Sequence, residues 1–133
     1  MMPETTPYLT LAYLGDAVLC LKARETLLSL GYSKPVECTK TELLFVQAEY
    51  QAQAAKLLLD HFTEEEKSLF SRAKNAKSHS APRHTDLFTY RLATALEAVF
   101  GYLHLKGEEE RIEELFRLGF ENTAQKLAKS ENV

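Results

Sequence analysis

Apolar residues recur along the chain at spacings of three and four. No stretch alternates apolar and polar positions over strand length between turn residues, so the pattern predicts helices and no strands. A first helix is predicted from about Tyr8 to Leu30, closed by Gly31, since glycine tolerates the positive φ found just past a helix end. SKPVECTK follows as a connector or short helical turn, with Ser33 as its cap and Pro35 near a first-turn position. A second long helix is predicted to about Asp60, burying Leu43, Val46, Tyr50, Ala54, Leu57 and His61. Thr63 and Glu66 form a capping box that opens a helix running to Asn75 or Ala76. KSHSAPRHT is a long loop. A helix from Thr85 or Asp86 to Leu105 follows, broken by Gly107. The last helix sets Ile112, Leu115, Phe116, Gly119 and Thr123 against a face of glutamates. The expectation is one all-α domain of five to seven helices over residues 7–128, with 129–133 a frayed tail.

Two helices depart from the amphipathic pattern and read as buried nearly all round. LAYLGDAVLCL, residues 11–21, is apolar apart from Tyr13, Gly15, Cys20 and one charge, Asp16. LATALEAVFGYLHL, residues 92–105, has Glu97 as its one acidic residue. A bare buried carboxylate costs several kcal/mol or becomes protonated, so each acid needs a compensating neighbour. Gly15 directly precedes Asp16, and Gly101 lies one turn after Glu97. Mid-helix glycine costs about 1 kcal/mol relative to alanine, so a packing reason is expected. A close crossing of the two helices supplies it, and brings Asp16 and Glu97 together. Two carboxylates in contact repel unless a proton or cation sits between them. Mg²⁺ takes one or two carboxylates and completes its shell with water and phosphate oxygens. A purely structural reading stands beside this one: each acid pairs with a basic residue such as Lys22, Arg24 or Arg91.

The length, 133 residues, fits one domain. No apolar run approaches membrane-spanning length, and MMPETTPY has neither the basic nor the apolar segment of a secretory signal. Cys20 and Cys38 lie outside any ligand-like pattern and read as free thiols in a reducing cytosol, which places the protein in the cytoplasm. HExxH and GxSxG are absent, the four histidines do not cluster, and Cys20 has no obvious base beside it. A net charge of −3 argues mildly against nucleic acid as a partner. The charge is uneven, however. Residues 71–91 carry Arg72, Lys74, Lys77, Arg83 and Arg91 against Asp86, whereas residues 107–121 are rich in glutamate. A basic patch can therefore exist on this acidic chain.

YLGDAVL strongly resembles the signature helix of the ribonuclease III family, and ALEAVFGYLHL resembles that family's second catalytic helix. The block RAKNAKSHSAPRHTDLFTYRLATALEAVFGY is similar to the branch called Mini-ribonuclease III. The matching pieces are Asn75 to Ser78, Pro82, Thr85 and Asp86, Tyr90 and Arg91, then Thr94, Ala95, Glu97, Ala98, Gly101 and Tyr102. The similarity runs from about Leu9 into the last helix.

The resemblance implies an all-α endonuclease domain that works as a homodimer and hydrolyses double-stranded RNA with Mg²⁺, Mn²⁺ being a candidate substitute. It implies maturation of large-subunit ribosomal RNA precursors. Asp16 and Glu97 become the catalytic and metal-binding pair. Ribonuclease III carries a separate RNA-binding domain after the nuclease. This chain, ending at Val133, is expected to lack it, so the nuclease domain grips RNA itself or borrows a partner such as a ribosomal protein. Phosphate contacts are expected from Arg72, Lys74, Lys77, Arg83 and His84. Asp86 reads better as a helix cap. The sequence also departs from the larger family. Ala12 and Leu9 stand where it has glutamates, and Thr94 stands where it has an aspartate, which reduces the acids to Asp16 and Glu97. Glu49 stands where the Mini branch often has lysine, and Gln53 where many relatives have glutamate. The rival readings are a catalytically idle RNA-binding dimer associated with ribosome assembly, and a helical dimer whose acids are only structural.

Overall fold

In the computed structural model, residues 2–76 and 80–131 are described. A 3₁₀ turn at Pro3–Thr5 precedes six helices: α1 (Tyr8–Ser29), α2 (Pro35–Val46), α3 (Ala48–Leu58), α4 (Glu64–Lys74), α5 (Leu87–Leu105) and α6 (Glu109–Glu131). The described residues hold no strand, as the periodicity predicts. None of their helices is long and apolar enough to cross a membrane.

The near-continuous apolar run of α5 has its cause in the packing: α1, α3, α4 and α6 all lie against it. Ala95, Leu96, Ala98, Val99 and Phe100 are wholly buried. Small residues let its neighbours approach, and large ones fill what remains. Phe45 of α2 stacks with Phe116 of α6 at 5.9 Å between ring centres, and Phe116 with Phe120 at 4.7 Å. These aromatic contacts tie α2 to α6.

The helix ends follow local chemistry. Asp86 caps α5, its Oδ1 accepting from the Thr89 backbone N–H at 2.8 Å and its Oδ2 from the Thr89 hydroxyl at 2.8 Å. The Thr63–Glu66 capping box of α4 forms in both directions. Past α1, Gly31 takes φ 101°, and Tyr32 donates its backbone N–H to the Leu27 carbonyl, the Schellman closure.

Three expectations need correction. SKPVECTK is not a short connector: Pro35 opens α2, a twelve-residue helix, and Lys34 rather than Ser33 occupies its cap position, without a side-chain bond. The long helix to Asp60 is two helices, since Gln47 is extended (φ −68°, ψ 146°). That break resets the helical phase. Leu43, Leu57 and His61 therefore face out, while Phe45, Ala52, Ala55 and Leu58 form the buried side with Ala54. Finally, α1 is not buried all round. Leu9, Tyr13, Asp16, Ala17 and Leu21 are exposed, Tyr13 at 83 %.

Candidate active site

The crossing of α1 and α5 is set by its two glycines. A Cβ on Gly15 would fall 1.6 Å from the carbonyl oxygen of Glu97, and one on Gly101 would fall 2.0 Å from that of Leu11. No L-residue with a side chain fits at either point, because what it would strike is backbone. The helices are antiparallel here, Leu11 lying by Gly101 and Gly15 by Glu97. Asp16, next to Gly15, is thereby delivered to Glu97.

Burial of Glu97, together with the Asp16 carboxyl beside it, pushes the Glu97 carboxyl up to about 9. Burial is the largest cause. A hydrogen bond with Asp16 and the negative charge of Asp16 add to it. At neutral pH the pair therefore holds a proton unless a cation takes its place.

None of the three basic residues offered by the sequence compensates the acids. Lys22 is buried and paired with Glu113 at 2.5 Å, with Glu25 at 3.3 Å and with Glu109 at 3.4 Å. Arg24 pairs with Glu42 at 2.5 Å. Arg91 is half-buried, and its Nε is buried without a hydrogen-bond partner. Among the described residues, neither Asp16 nor Glu97 has an ion-pair partner.

Two neighbouring positions add no ligand. Ala12 is buried, and the buried Thr94 donates its hydroxyl to the Tyr90 carbonyl at 2.8 Å. No group of three or more His, Cys, Asp or Glu side chains among the described residues is placed to hold an ion. The donor set is thus two carboxylates, all hard oxygen. This suits Mg²⁺ or Mn²⁺, which complete their shells with water and phosphate. Cys20, one turn past Asp16, stays a thiol: burial raises its pKa first, and the Asp16 charge next.

The chain matches the ribonuclease III domain over residues 9–108. It is 42% identical over 109 residues to a Mini-ribonuclease 3 from Enterococcus faecalis, covering 80% of this chain and 83% of that one. It is 43% identical over 109 residues to a Mini-ribonuclease 3 from Staphylococcus aureus, covering 80% and 81%. The chain belongs to the ribonuclease III family, in its Mini-ribonuclease 3 branch. A crystal structure of a Fusobacterium nucleatum protein superposes with a TM-score of 0.75 at 36% identity, covering 85% of this chain and 91% of that one. Membership makes the chain an endoribonuclease of ribonuclease III type.

The basic residues named from the sequence fall in different places. Arg72 and Lys74 lie in the last turn of α4, the Arg72 guanidinium 5.9 Å from the centre of the Tyr8 ring at the start of α1. Arg83 and His84 are exposed ahead of α5. His84 shares a polar cleft with Gln47, Glu49, Asp86 and Thr89. Lys77 lies outside the described residues. Sequence reasoning treated Arg24 only as a structural partner for the acids. Its spacing of four residues from Cys20 and eight from Asp16 is the signal that it shares their side of α1.

Proposed function

We propose that this chain is a Mg²⁺-dependent endoribonuclease acting on double-stranded RNA, with Asp16 and Glu97 as its metal-binding and catalytic pair. The observation that carries the reading is a half-buried carboxylate held against a second one by two interlocking glycines, with no ion-pair partner for either among the described residues. A structural ion pair would have placed a lysine or arginine there. When bound, Mg²⁺ supplies a water of lowered pKa and offsets charge on the leaving 3′ oxygen. Asp16 and Glu97 would hold it from opposite helices, and the Gly15–Gly101 contact would fix their separation. Asp16 is exposed and Glu97 half-buried, so the pair opens to a substrate on one side and rests on the core on the other.

The working form in this reading is a homodimer. Leu9, Tyr13, Ala17 and Leu21 are exposed at four-residue spacing along α1, beside Asp16. That apolar row is the kind of surface a second copy covers. Arg72, Lys74, Lys77, Arg83 and His84 would contact the phosphates of a duplex. The substrate is an end of a large-subunit ribosomal RNA precursor, as resemblance to the Mini branch implies, with a ribosomal protein as a candidate partner in presenting it.

The test is cleavage of a ribosomal RNA precursor stem with and without Mg²⁺. Wild type cleaves only with the metal, and Asp16→Asn abolishes cleavage while keeping fold and RNA binding. Cleavage by Asp16→Asn at the wild-type rate would remove the assignment.

A further inference from the structure

Three side chains, Cys20, Arg24 and Glu42, lie beyond the carboxylate pair. Asp16, Cys20 and Arg24 follow one another at four-residue intervals on α1, which sets Arg24 about 12 Å along the axis from Asp16. Glu42 reaches Arg24 from α2. Asp16, Cys20 and Arg24 therefore share one side of α1, and Glu42 joins that patch beside Arg24.

Within it the Arg24 guanidinium is anchored on one edge. Its Nε donates to Glu42 Oε1 at 2.5 Å. The Glu42 side chain is 13% exposed and the Arg24 side chain 66%. The less exposed Glu42 therefore holds the inner nitrogen, while the Arg24 side chain stays largely open to solvent. A guanidinium oriented in this way presents the planar fork that matches a phosphate, with less rotamer entropy left to lose on binding. On a chain of net charge −3, an oriented exposed cation beside a carboxylate pair also offsets repulsion of an incoming polyanion.

We propose that Arg24, oriented by Glu42, binds a backbone phosphate of the RNA further along the strand that Asp16 and Glu97 engage. The proposal rests on the reading of Asp16 and Glu97 as the nuclease centre.

The experiment measures binding of a short blunt RNA duplex across a salt series, in the non-cleaving Asp16→Asn background. Arg24→Ala and Arg24→Gln are compared with Arg24 intact, and thermal unfolding checks the fold. The expected result is roughly tenfold weaker binding, the loss of one charge-assisted contact. The log–log salt slope should also fall by about 0.9. Arg24→Lys should keep the slope and bind with intermediate strength, having the charge without the fork. Unchanged binding, or weaker binding with an unchanged slope, overturns the proposal and leaves the Asp16–Glu97 centre standing. Cleavage of the duplex in the Asp16→Asn background would instead overturn the centre itself.

Discussion

Gly15 of α1 and Glu97 of α5 approach so closely that a methyl group on Gly15 would sit 1.6 Å from the Glu97 carbonyl oxygen. The contact is between backbones, so no rotamer change relieves it. The same contact that lets the two longest-packed helices interlock also sets Asp16 against Glu97.

Gly15→Ala should therefore destabilise the protein by more than about 3 kcal/mol, at or beyond the upper end of overpacking costs. Gly107→Ala, at φ 74° with open space around it, should cost about 1 kcal/mol from backbone strain alone. Urea unfolding of the two variants checks the order. Equal losses would contradict the crossing.

In metal-free protein, Glu97 carries a carboxyl raised to about 9 against an ordinary value of 4.5. The folded state thus holds a proton that the unfolded state releases, and stability falls as pH rises between about 4.5 and 9. Glu97→Gln should flatten that decline. Melting temperatures of both proteins in a chelating buffer from pH 5 to 9 test it, and parallel curves would contradict the raised carboxyl. Glu66 acts in the opposite sense. Burial works against its charged form, but Arg111 and the Thr63 backbone N–H hold it below the ordinary range. Its contribution is present above about 4.5 and lost as pH falls further.

Arg111 of α6 anchors the turn before α4. It bonds Glu66 at 2.7 Å and the His61 carbonyl at 2.7 Å, and also pairs with Glu114. Arg111→Ala would leave the buried Glu66 without its cation, costing about 3 kcal/mol. Glu114→Ala should cost under about 1 kcal/mol, since that partner is exposed. Chemical denaturation separates the two, and comparable losses would contradict the burial argument.

How far the sequence reveals this depends on where the controlling force is local. The Thr63 box, the Asp86 cap and the Gly31 stop are decided by residues within one turn, and each is legible. Asp16 and Glu97 were legible as a pair because two costly glycines stood beside two costly acids, and one close crossing accounts for all four. The break at Gln47 was not legible. No proline or glycine marks it, and the separate packing of α2 and α3 sets it. Without that break, the helical phase places Leu43 and Leu57 on the wrong face. The exposed row of Leu9, Tyr13 and Leu21 was also hidden, because an apolar surface reads like a core until the fold shows which side is uncovered.

The central claim is that Asp16 and Glu97 jointly hold a divalent cation. Titration calorimetry of the folded protein with Mn²⁺, alongside Asp16→Asn and Glu97→Gln, tests it most directly. The account predicts cation binding by wild type, with proton release near neutral pH as the metal displaces the shared proton, and loss of that binding in both variants. Undiminished binding in either variant, or none in wild type, would contradict it.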